Sequence, residues 1–116
     1  CEGYAAGELK HGPLALIENN IPVIVLAPFD ENYSKLLSNI QEVKARGGRI
    51  IMITDRDGAK KVKKYCDQIV IIPKTNFLTS PILYSIPVQL IAYYLAVFLG
   101  TDVDQPRNLA KSVTVE

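Results

Sequence analysis

The sequence predicts an α/β domain built on a parallel sheet flanked by helices, and three observations predict it. Short, β-branched apolar runs recur at residues 21–27, 49–54 and 67–73, the pattern of strands buried in a sheet. Segments with near-helical apolar spacing separate them. The connections are short, and strand, helix, strand, helix, strand is how a parallel sheet with crossover helices is written.

The elements follow in order. Residues 4–17 carry Ala5, Ala6, Leu9, Leu14, Leu16 and Ile17, a helical pattern interrupted near Gly12 and Pro13. Nothing before it could start a domain, so the fold is expected to begin partway through, incomplete at its N-terminus. Residues 21–27, closed by Pro28, read as a central parallel strand covered on both faces. Residues 32–46 place Leu36, Leu37, Ile40 and Val43 on one helix face, with Gly47 and Gly48 as the stop. Residues 49–54 form the second strand, ending at Asp55 in a polar turn, and residues 59–65 a short basic helix. Residues 67–73 form the third strand. Thr79 or Ser80 is expected to cap a long apolar helix with Pro81 at its first position, running to Leu99 with Gly100 as its stop. Residues 101–116 hold Pro106 and no sustained period. They read as an extended tail with a helical turn near 108–111. The expected division is 1–100 for the domain and 101–116 for the tail.

The 116 residues suit one domain able to bury roughly two-thirds of its unfolded surface. An apolar fraction of 48% against 22% charged residues belongs to an ordinary globular protein. Thirteen basic and twelve acidic residues leave a net charge of +1, so no summed field draws the chain to nucleic acid or an anionic membrane, and an anionic ligand must be held locally. Two cysteines, Cys1 and Cys66, and one histidine speak against a metal site and a disulfide scaffold, which makes a reducing, cytoplasmic setting the default. Gly47-Gly48 and Asp57-Gly58 form no phosphate-cradling glycine motif, so no cofactor is expected. Residues 81–99 carry no formal charge and come close to a membrane-spanning length. Pro81, Pro87, Ser85, Gln89 and the lack of a basic flank favour a helix buried in a core or dimer seam. Tyr84, Tyr93, Tyr94 and Phe98 on that helix are read as packing groups.

His11 falls where the first helical pattern breaks, beside Glu8 and Lys10. An imidazole there suits proton transfer: it can protonate a ring oxygen or take a hydroxyl proton, and so open a cyclic sugar. Position alone favours a surface or capping histidine. Lys111 in the tail could attack a carbonyl as a Schiff-base nucleophile, or be a solvated charge. The lysines at 60, 61, 63 and 64 read as a solvated helix face. Cys1 precedes a helical pattern instead of a strand, and is rejected as an N-terminal nucleophile.

Two stretches carry a more specific signal. Residues 4–17, containing Gly7-Glu8-Leu9-Lys10-His11-Gly12-Pro13, and the run 100–116, containing Asp104-Gln105-Pro106-Arg107-Asn108-Leu109-Ala110-Lys111-Ser112, resemble the two signature stretches of the glucosamine-6-phosphate synthase family, the isomerizing glutamine–fructose-6-phosphate aminotransferases. The elements between fall in the order of that family's second sugar-isomerase (SIS) domain, so the resemblance covers essentially the whole chain. It implies a three-layer, flavodoxin-like SIS fold and an enzyme that converts fructose 6-phosphate and glutamine-derived ammonia to glucosamine 6-phosphate for UDP-N-acetylglucosamine biosynthesis. On matching positions it assigns ring opening to His11, an imine with the open sugar to Lys111, and backbone contact with the sugar to Ala110. It also implies a homodimer, a glutaminase domain and a first SIS domain beyond this chain, which alone is expected to be inactive. The proton-transfer acid and the phosphate loop would lie in those other parts.

Other readings remain beside this one: a non-catalytic phosphosugar-binding module, a structural dimerisation domain, and a fructosamine-6-phosphate deglycase. Retention of both His11 and Lys111 speaks against the first. A dimerisation domain would leave the tail free to vary, and the complete tail from Asp102 to Glu116, which matches the synthase, speaks against the last.

Overall fold

A computed structural model describes residues 1–104. The chain divides into two units, one of Cys1–Ser80 and one that begins at Pro81.

The first unit opens with two short 3-10 helices, η1 (Ala6–His11) and η2 (Pro13–Leu16). The break at Gly12 falls where the sequence places it, but neither arm has an α-helical ladder. Leu9, Leu14 and Ile17 pack on the core, and these few anchors suit single tight turns, in which 3-10 geometry is common. Then come β1 (Pro22–Ala27), α1 (Tyr33–Ala45), β2 (Arg49–Thr54), α2 (Arg56–Val62) and β3 (Gln68–Ile71). All pairings are parallel, in the order β1-β2-β3, with Val25 opposite Met52 and Met52 opposite Ile69.

Among the described residues β1 lies at the edge of the sheet and β2 at its centre. Side chains alternate across a strand, and on β1 Val23, Val25 and Ala27 face the core while Ile24 and Leu26 are 38% and 43% exposed. One face carries this core cluster: Ala27, Ile50 and Met52 from the sheet, Tyr33, Ile40 and Val43 from α1, and Val62 from α2; Ile53, alternating to the other face, is also fully buried. Consecutive right-handed crossovers in this order put both helices on that one face.

The basic helix also differs from expectation, starting at Arg56 instead of residue 59. Asp55 is its N-cap, accepting the amides of Asp57 and Gly58 at 2.9 Å each. What reads as a polar turn is the cap of the first turn. The lysines at 60, 61, 63 and 64 are exposed, and Lys61 lies 4.6 Å over the Phe29 ring. Cys1 and Cys66 are both free thiols.

In the second unit, α3 (Ser80–Phe98) has Pro81 at its second position and Pro87 inside it. Ser85 donates its hydroxyl to the Ile82 carbonyl at 2.7 Å in the turn before Pro87. The helix ends on Gly100 at φ 68°, with the amides of Gly100 and Thr101 donating to Val97 and Ala96 at 3.0 Å each. Two reversed bonds around a left-handed glycine make a Schellman stop. Tyr84 is buried, whereas Tyr93, Tyr94 and Phe98 are exposed. The helix is long and apolar enough, by length and composition only, to cross a membrane.

Candidate functional site

His11 is the last residue of η1 and is exposed. In a 3-10 turn residues three apart eclipse, so Glu8 and His11 share one edge of η1, while Leu9 faces the core. The sequence thus turns its histidine outward by anchoring the leucine two positions before it. Among the described residues His11 makes no hydrogen bond or ion pair, so the imidazole is uncommitted. Ala110 and Lys111 lie outside the described residues.

The carboxyl ends of β1 and β2 are tied together by groups that pattern reading treated only as a turn. Thr54 Oγ1 donates to the Ala27 carbonyl at 2.6 Å. Asp55, only 6% exposed, accepts the two α2 amides on Oδ1 and the Phe29 amide on Oδ2 at 3.3 Å. Its oxygens are spent on backbone donors, which makes it a scaffold group. Tyr33 closes the same region by donating its hydroxyl to the Gly58 carbonyl at 2.7 Å. Burial pushes the Tyr33 phenol above its ordinary pKa, so it stays neutral. The signal for this knot was present in Thr54-Asp55-Arg56-Asp57-Gly58, a capping aspartate followed three residues later by a small one.

The amino ends of β2 and β3 are held by a second aspartate. Asp67 accepts the Ile50 amide at 2.7 Å and pairs with Lys44 of α1 at 2.8 Å. The Lys44 hydrogen bond first, and the Ile50 amide second, hold its carboxyl below the usual range. The Cys66 thiol beside it is pushed up by burial and by the Asp67 charge, which keeps it protonated and unreactive.

Two clefts open at the carboxyl edge of the sheet, the edge where α/β proteins place ligands. One, of about 570 Å³, is bordered by Arg56, Lys60, Lys74 and Asp57. Lys60 and Lys74 both pair with Asp57 at 3.3 Å, and these two contacts hold the Asp57 carboxyl below its usual range, Lys74 contributing most. The other, of about 340 Å³, lies between the start of η1 and α1, against Ala6, Gly7, Leu26, Pro28 and Lys35. Thus η1 borders a cleft at its start and presents His11 at its end. Among the described residues no group of three His, Cys, Asp or Glu side chains could hold a metal ion.

With this geometry in place, comparison with known proteins is informative. The SIS domain model matches residues 1–99. The chain is 62% identical over 115 residues to "Glutamine--fructose-6-phosphate aminotransferase [isomerizing]" of Mesorhizobium japonicum, covering 99% of this chain and 19% of that protein. It is 59% identical, with the same coverage, to the protein of that name from Brucella abortus. The chain therefore spans about a fifth of the length of the curated relatives it matches. Among solved structures, the C-terminal domain of glucosamine-fructose-6-phosphate aminotransferase from Francisella tularensis superposes with a TM-score of 0.82 at 42% identity, over 88% of this chain and 29% of that one. Parallel strand order, crossover helices and a family match over 99 of 116 residues agree: this chain belongs to the SIS domain family.

Proposed function

We propose that the chain is the isomerase end of an enzyme that makes glucosamine 6-phosphate from fructose 6-phosphate and glutamine. One observation carries this reading: the 62% identity to an isomerizing aminotransferase extends over 115 residues, both signature stretches included. In this reading residues 1–100 are the scaffold and 101–116 a tail that closes over the sugar.

His11 protonates the ring oxygen of the cyclic hemiketal as the anomeric hydroxyl passes its proton to water, and the ring opens to a free ketone at carbon two. Its outward, uncommitted placement at the end of η1 supports this. The Lys111 amine attacks that ketone, water leaves, and an iminium remains. Ammonia supplied by the glutaminase domain adds to carbon two and displaces the lysine amine, and the positive nitrogen of the resulting imine acidifies the hydrogens on carbon one, so a base supplied from outside this chain can carry a proton from carbon one to carbon two and leave the 2-amino aldose. The backbone at Ala110 lies against the sugar and keeps water from the imine. The substrate is a phosphorylated ketose, the partners are a glutaminase domain and a further SIS domain, and the working form is a cytoplasmic homodimer. The chain alone is inactive.

The decisive experiment is borohydride trapping in the intact enzyme. Reduction of the iminium delivers hydride to carbon two and leaves a stable secondary amine. The expected result is a sugar adduct on the peptide containing Lys111, absent in Lys111→Arg, whose guanidinium does not form the imine and whose isomerisation collapses. An adduct elsewhere, or full turnover by Lys111→Arg, removes Lys111 from the mechanism.

A further inference from the structure

The residue that follows His11 adopts a backbone conformation closed to L-amino acids with a side chain. Gly12 has φ 146° and ψ −55°. A Cβ built on it would meet nothing within 4 Å, so space is not the reason for glycine here; the torsion is. That torsion is fixed from both sides. On one side Gly12 is the C-cap of η1, whose Leu9 is seated in the core. On the other it is the N-cap of η2, its carbonyl accepting the Ala15 amide at 2.9 Å, with Leu14 seated in the same core. Pro13, the first residue of η2, has φ locked by its ring. Two anchored turns one residue apart can be joined only by an unusual bend, and His11 sits on the near side of that bend.

We infer that Gly12 is a positioning residue for sugar ring opening, its positive-φ bend setting the direction in which η1 presents the His11 imidazole. This deepens the reading of His11 given above and rests on it. Any L-side chain at position 12 drives φ back to negative values. With Leu9 and Leu14 held, the bend then relaxes by rotating the last turn of η1, and His11 moves with it. Proton transfer fails steeply with misplacement of this kind. Sugar binding and the imine chemistry, which do not use His11, are left in place.

The test uses the intact enzyme with two substrates: fructose 6-phosphate, and 5-deoxyfructose 6-phosphate, which lacks the hydroxyl that closes the five-membered ring and is always an open ketone. For Gly12→Ala the expected result is a kcat loss of about tenfold or more on fructose 6-phosphate with KM within about twofold, and a loss under about threefold on the open analogue. His11→Ala shows the same selectivity, and the double variant is no worse than His11→Ala alone, because both changes remove one function. Equal losses on the two substrates, or losses that multiply in the double variant, overturn the inference. If His11→Ala is not selective for the cyclic sugar, the reading of His11 falls and this inference with it. If His11→Ala is selective and Gly12→Ala is not, only the inference falls. Should Gly12→Ala not fold, Pro13→Ala releases the same bend from its other side: a selective loss on the cyclic sugar supports the inference and an unselective one overturns it.

Discussion

Removing the carboxylate of Asp55 separates two contributions to the carboxyl edge of the sheet. Its Oδ1 caps α2 through the amides of Asp57 and Gly58 at 2.9 Å, and its Oδ2 takes the Phe29 amide, just after β1, at 3.3 Å. At 6% exposure water cannot substitute freely for either. Loss of a capping side chain costs about 1 kcal/mol, and an unsatisfied amide at Phe29 adds about 1 kcal/mol. Asp55→Ala should therefore ease local opening by about 2 kcal/mol, or roughly 30-fold in the opening equilibrium. Asp55→Asn keeps a carbonyl for the cap but turns an amide donor toward the Phe29 donor, so it should lose only the second half, about fivefold. The assay is amide hydrogen exchange in the intact protein, read at Phe29, Asp57 and Gly58. Asp57 and Gly58 exchanging at the wild-type rate in Asp55→Ala would refute the capping assignment. An Asn variant as damaged as the Ala variant would refute the division between the two oxygens.

Two further predictions concern the same scaffold. Gly58→Ala drives a Cβ into Thr54 Oγ1 and the Tyr33 ring, neither of which can retreat without breaking its bond to Ala27 or Gly58; overpacking of this kind costs about 1–3 kcal/mol, and an unchanged thermal midpoint would contradict it. The folded pKa of Asp67 lies below the unfolded carboxylate value, about 3.9, so Asp67 contributes stability that is fully present above that value and is lost as pH falls through the lowered folded one. Thermal midpoints measured between neutral and strongly acid pH should fall less steeply in Asp67→Asn than in wild type, and identical slopes would remove Asp67 from the acid response.

Where one periodicity implied one structure, the fold was legible. The bounds of β2 at Arg49–Thr54 follow directly from its apolar run, and α1 from the spacing of Leu36, Leu37, Ile40 and Val43. Which side chains of β1 meet the core cluster was not legible, because Ile24 and Leu26 are as apolar as Val23 and Val25 although only the latter pair packs on it. The start of α2 was missed because Asp55 and Gly58, weak helix formers read one at a time, act together as cap and close-contact position. His11 stood out because a helical pattern ends on it. Its outward direction is a consequence of Leu9, and the bend that aims it resides in a Gly12 torsion that no pattern of residue types reports.

The order of residues was thus enough to determine the three strands, α1 and α3, their parallel connection and the two stretches by which the chain is placed among SIS domains, since these depend on local periodicity and on identities close together in the chain. Tertiary structure alone decided how Asp55 joins β1 to α2 across 26 positions, how Asp67 joins Lys44 to Ile50, and which way His11 faces. Those outcomes depend on which distant groups come within hydrogen-bonding distance once the core has closed, and that is a property of packing, not of spacing along the chain.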